Sequence, residues 1–131
     1  MSQIREIMKS LRDATARSSR RLALRSLELV SQQTPIDTGH AQSNWVLSVG
    51  APYTQIDGSK DAVSTAAQQA GISRIKRYRI GEGAIWLTNN VPYIVILNLG
   101  SSTQAPSAFV EKALNQAVAE ERVIRDLERA L

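Results

Sequence analysis

The chain has 131 residues, 43% hydrophobic and 21% charged, and its sixteen basic and twelve acidic side chains leave a net charge of +4. That length suits a single domain, 1–131, burying roughly two-thirds of its unfolded surface around one core. Cysteine is missing, which excludes disulfides and thiolate chemistry; no apolar run reaches the roughly 20 residues of a membrane span, and residues 1–13 lack the apolar stretch of a signal peptide.

Residues 2–33 predict one long helix. Ile4, Ile7, Met8, Leu11, Thr15, Ser18, Leu22 and Leu29 fall on one face in steps of three and four, and Ala23, Leu27 and Val30 add a second stripe. The apolar face therefore widens, predicting a helix half exposed at its start and more buried later. Ser2 suits the N-cap, and Pro35 stops the helix because it lacks an amide hydrogen and disfavours helix at Thr34. Arg5, Lys9, Arg12 and Arg20 project away from the first stripe. Residues 1–30 carry seven basic and three acidic side chains, whereas the chain from Phe109 carries four and five.

Thr34 to Trp45, TPIDTGHAQSNW, predicts a turn built on Asp37, Thr38 and Gly39. His40 is the one histidine of the sequence, with no neighbouring carboxylate or histidine pattern, so it reads as a surface turn residue. Trp45, Leu47 and Val49 alternate with Asn44, Val46 and Ser48 as in a half-buried strand. Residues 50–83 read as an insertion. Within it a helix is expected from about Lys60 to Ala70, capped by Asp57 or Ser59 and ended by Gly71. Ile72 to Glu82, ISRIKRYRIGE, predicts an exposed β-hairpin arm, or a basic finger in which Arg74, Lys76, Arg77 and Arg79 meet phosphates while Tyr78 stacks. Ala84 to Thr88 follows as a strand that can pair antiparallel with the Trp45 strand.

Asn89 and Asn90 make a turn, with Pro92 expected at the first position of a helix. Ile94, Val95 and Ile96 favour a strand, while Gly100 fits a helix C-terminus; pattern alone leaves Tyr93 to Leu99 open between the two. The density of apolar residues from Asn89 to Leu114 predicts that the core is arranged around this stretch. A last helix, 107–131, is expected with Ser107 as N-cap. Its Val110, Ala117, Ile124 and Leu131 recur every seven residues, and Glu121 precedes Arg125 by four.

A basic helix running into T-P-I-D-T-G and a tryptophan strand, then N-N-V-P-Y, an apolar stretch ending in glycine, and Q-A-P before a final helix, resembles the tailed-phage neck and tail-completion proteins. That group includes the lambda-type minor tail protein. The resemblance rests on Pro35, Asp37, Thr38, Gly39, Asn90, Pro92, Tyr93, Gly100 and Pro106. It implies an α+β subunit, with long N-terminal and C-terminal helices packed on a small antiparallel sheet and a short buried helix over Tyr93 to Leu99. It also implies a structural virion protein, made in the host cytoplasm, that joins the tail tube to the head connector around the DNA channel. Its partners would be other copies in a ring, neighbouring tail-terminator, tail-tube or head-connector proteins, and passing phage DNA. The family commonly has a glutamate where this chain has Asn98, and a glycine where it has Ser107.

The residues themselves carry no catalytic constellation: no metal-ligand cluster, no nucleophile beside a base, and no glycine-rich phosphate loop next to a strand. Asp37-Thr38-Gly39 alone would make an aspartic protease only as a dimer pairing two carboxylates. We therefore expect neither an enzyme nor a cofactor. Arg5, Lys9, Arg12, Arg74, Lys76, Arg77 and Arg79 are the candidates for subunit or DNA contact. A small basic nucleic-acid-binding protein using these arginines is the alternative.

Overall fold

The computed structural model describes residues 2–35, 39–58, 65–101 and 107–131. Helix α1 spans Ser2–Gln33, a short helix α2 His40–Ser43, strand β1 Trp45–Val49, helix α3 Ala66–Lys76, strand β2 Ile85–Asn89, a single turn α4 Ile94–Ile96 with a π-helical turn Leu97–Ser101, and helix α5 Phe109–Ala130. This is the expected α+β arrangement of two long helices with a two-stranded antiparallel sheet and a short helix after the second strand.

The strands pair in the register Trp45↔Asn89, Leu47↔Leu87 and Val49↔Ile85. A two-stranded sheet is marginal alone and needs a packed face. Here Trp45, Leu47, Ile85 and Leu87 join Ala23, Leu27, Leu29 and Val30 of α1, Ile75 of α3, and Phe109, Ala113 and Ala117 of α5 in one apolar cluster. Val46 is buried as well, so β1 is covered on both faces over Trp45 to Leu47 where the alternation predicted one.

Helix α1 is more buried in its second half, as the widening stripe predicts, but its start is fully exposed where half exposure was expected. Residues 2–15 are exposed all round, and burial begins at Ala16. Helix α5 runs antiparallel to α1, because Arg25 meets Glu120 while Arg21 and Arg17 meet Glu128. The first half of α1 thus extends past the end of α5.

Four expectations need correction. Helix α3 begins at Ala66, not near Lys60, because Thr65 and Gln68 form a capping box: the Thr65 hydroxyl accepts the Gln68 amide and the Gln68 side chain accepts the Thr65 amide. The earlier part of the expected helix, 60–64, lies outside the described residues. Gly71 does not end that helix; it sits inside it, where α3 crosses β1. The stretch read as a hairpin arm is helical as far as Lys76, since Gln68, Gly71, Ile72 and Ile75 keep helical spacing against the sheet. Finally, the helix over Ile94–Ile96 is present but is not buried, with Val95 65% and Leu99 74% exposed. The core is centred on α1, β1 and the start of α5, to which Asn89–Leu114 contributes Val91, Phe109 and Ala113.

Candidate interface surfaces

The motif residues act as clips between chain segments. Thr34 caps the end of α1 by donating its hydroxyl to the Val30 carbonyl at 2.6 Å, and the same hydroxyl accepts the Trp45 indole N–H at 2.8 Å. Asn44 donates to the His40 and Asp57 carbonyls and accepts the Asp57 amide at 2.7 Å. Asn89 donates to the Ala41 carbonyl, and Asn90 to the carbonyls of Tyr53 and Gln55. The bonds to Tyr53, Gln55 and Asp57 engage loop backbone, and those to His40 and Ala41 tie α2 to the segments around it. Pro35 and Gly39 are buried, Gly39 with φ 70°, and Tyr93 lies 6.2 Å from the His40 ring. Asp37, Thr38 and Pro106 lie outside the described residues. Pro92 stands in the turn before Tyr93, ahead of the helix and not at its first position.

Asn98 is a clip that sequence reasoning missed. Helix α5 starts from Ala108 in the left-handed region (φ 60°), with no capping side chain of its own, so Ser107 is not the N-cap. Asn98 supplies the cap from outside: its carbonyl accepts the Ala108 amide, and its side-chain oxygen accepts the Val110 amide at 2.9 Å. Its NH2 group donates to both Glu111 oxygens, at 3.0 and 2.9 Å, which holds that carboxyl below the usual range. A glutamate at 98 would set a second carboxylate beside Glu111 and lose the donor that Asn98 supplies. Gly100, at φ 96°, ends the short helix as expected.

The α1–α5 seam carries an ion-pair network. Glu121 is 4% exposed and accepts from Arg21 at 2.7 and 3.2 Å and from the Ser18 hydroxyl at 2.7 Å. Burial acts to raise the Glu121 carboxyl, but the bonds from Arg21 and Ser18 outweigh it and leave the group below its ordinary value. Arg21 also reaches Glu128 at 2.6 Å, and Arg25 grips Glu120 at 2.6 and 3.1 Å. Both guanidiniums are raised by these hydrogen bonds.

The sequence-predicted cations fall into two separate sets. Arg5, Lys9 and Arg12 lie on the exposed arm of α1. Arg74, Lys76, Arg77 and Arg79 gather at the end of α3 and the turn after it, where Arg20 of α1 joins them and Glu82 is the acidic member. Arg20 is placed there by donating to the Tyr78 carbonyl, across 58 positions of sequence. Tyr78 is itself buried, its hydroxyl bonded to the Gly83 carbonyl at 2.8 Å, so its ring is not available to stack on a base.

Val123 and Leu127 on α5 are exposed, and two further apolar surfaces beyond that helix have no cover among the described residues. One is the arm stripe Ile4, Ile7, Met8 and Leu11; the other is Val95, Ile96 and Leu99 on the short helix. The first lies beyond the α5 residue Glu128 and the second beside Glu111, so they sit at opposite ends of a helix about 33 Å long. No group of three or more His, Cys, Asp or Glu among the described residues is placed to hold a metal, and no helix there is long and apolar enough to cross a membrane. No family model, curated protein or solved structure matches the chain.

Proposed function

We propose that the protein is a ring-forming structural subunit of a tailed-phage neck, acting in tail completion between the tail tube and the head connector. The observation that carries this reading is the pair of unlike apolar surfaces at opposite ends of α5. Contiguous exposed apolar residues at two places on a small subunit mark contacts with other chains. Contacts between two different patches are head-to-tail, and head-to-tail contacts close into rings when the rotation permits. A second copy is the occupant that meets both needs: the arm of one subunit covers the short helix of the next. The motif order from T-P-I-D-T-G to Q-A-P adds the neck as the place of work, and the clips formed by Thr34, Asn89 and Asn90 give those motifs a structural use that requires no chemistry. Neither an active site nor a cofactor belongs to this reading.

Paired variants test it. Leu11→Asp damages the arm and Leu99→Asp damages the short helix, and both side chains are exposed, so the fold is spared. Each variant alone should remain monomeric by light scattering, while an equimolar mixture should form a one-to-one dimer through the single intact pair of surfaces. Assembly by either variant alone, or no dimer in the mixture, refutes the head-to-tail contact. The mass of the unaltered protein, alone and with tail tubes, tests the neck assignment: rings on tubes support it, and monomers that ignore tubes remove it.

A further inference from the structure

The formal charge of this protein is concentrated in one place. Arg20, Arg74, Lys76, Arg77 and Arg79 share a face with one carboxylate, Glu82. These five cations and one anion carry a surplus of four, and the remaining eleven basic and eleven acidic residues of the chain cancel. On the α1–α5 seam, Arg21 and Arg25 are matched by Glu120, Glu121 and Glu128. On the cationic face, Glu82 is already occupied by Arg74 at 3.2 Å and by the Arg79 amide at 2.6 Å.

We propose that this face binds the phosphate backbone of duplex DNA without reading its sequence. A helix C-terminus attracts a cation or two in its last turn, which accounts for Arg74 and Lys76. It does not account for Arg77 and Arg79 beyond the helix, nor for Arg20 arriving from α1. Every residue lining the face is charged, and no apolar or aromatic side chain lies among them. A protein-binding centre is built instead around desolvated aromatic or aliphatic anchors. Binding of single strands relies on stacking, and Tyr78 is buried with its hydroxyl engaged. What is left is clustered positive charge, the feature that holds phosphates and positions a protein on a duplex without base contacts. Resting on the ring reading, this face then turns toward the DNA passage, which orients each subunit in the ring.

The test is fluorescence anisotropy of the monomeric protein with a random-sequence DNA duplex over a series of salt concentrations. With about four phosphates neutralised, the logarithm of the binding constant should fall against the logarithm of salt with a slope of about −3.6. Lys76→Gln, Arg77→Gln and Arg79→Gln together should bring the slope to about −1. These three side chains are exposed, so unchanged circular dichroism should accompany the loss. Arg20 is left in place because it holds the Tyr78 carbonyl. The matching triple variant at Arg5, Lys9 and Arg12 should keep the full slope. The proposal is overturned by an unchanged slope in the first triple variant, by tighter binding to single strands than to duplex, or by equal competition from poly-glutamate, which would mark an acidic protein surface as the partner. Because monomers are measured, DNA binding without ring formation would defeat the ring reading and leave this one standing, and rings without DNA binding would do the reverse.

Discussion

Gly71 sets how closely α3 approaches the sheet. A Cβ at this position would lie 2.4 Å from the Leu47 carbonyl oxygen, which belongs to the backbone of β1 and cannot rotate away. Alanine is favoured over glycine within a helix by about 1 kcal/mol, but overpacking of this kind costs about 1–3 kcal/mol. Gly71→Ala should therefore destabilise the protein by roughly 1–2 kcal/mol in urea unfolding, despite the better helix former. Gain of stability would show that α3 shifts outward freely. The same glycine shows why local sequence misleads: a glycine following an alanine-rich run looks like a helix end, and only the crossing strand, some 24 positions earlier, reveals it as a point of close approach. Asn98 is a similar case, since its capping of α5 depends on a chain reversal that the residues themselves do not announce.

At the scale of elements, α1, α5 and the strand β1 were legible because each carries a sustained period, of 3.6 or of 2, although burial follows that period only over part of each element. Helix α3 was misplaced because its start is marked by a polar capping pair, Thr65 and Gln68, which an apolar pattern does not reveal, while Gly71 suggested a stop. The short helix after β2 was expected to be buried because apolar density normally implies burial; its outer side chains are exposed because no described element covers them. The cation run 74–79 could be read directly, but Arg20 could not be attached to it without the α1–α3 packing. The α1–α5 seam makes a prediction about acid. Glu121 titrates in the folded protein below its ordinary value of 4.5, so the stability it contributes is fully present above about that pH and disappears as pH falls through the lower folded value. Glu121→Gln keeps an acceptor for Arg21 but loses the charge. It should cost about 1–3 kcal/mol at neutral pH and flatten the fall in stability below pH 4.5, measured by thermal melts at several pH values. An acid profile identical to that of the unaltered protein would rule out Glu121 as a source of acid sensitivity.

For the whole molecule, the cations divide into a face with a net surplus and an arm whose Arg5, Lys9 and Arg12 are interleaved with Glu6 and Asp13. The arm's apolar stripe supplies contact area in the proposed ring, and its cations bias the approach of the next subunit. Charge reversal at Arg5, Lys9 and Arg12 should weaken assembly at low ionic strength and matter less near 1 M salt, where screening reaches only about 3 Å. Sedimentation velocity at the two salt levels would measure this, and rings of unchanged stability would remove any electrostatic part for the arm. The DNA-binding face and the arm are distinct in this scheme, so variants at one should leave the function of the other intact.

The seam between α1 and α5 has a further consequence during synthesis. Ser18 and Glu121 touch across 103 positions of sequence, and Arg21 and Glu128 across 107. A ribosome adding about 5–20 residues per second needs roughly 5–20 s to cover that distance. Throughout that interval Ala16, Ala23 and the inner stripe of α1 exist without α5, in a cell full of other apolar surfaces. Nascent chains of this protein are therefore exposed to chaperone capture, and to collision with one another on crowded polysomes, through the same face that later closes the fold.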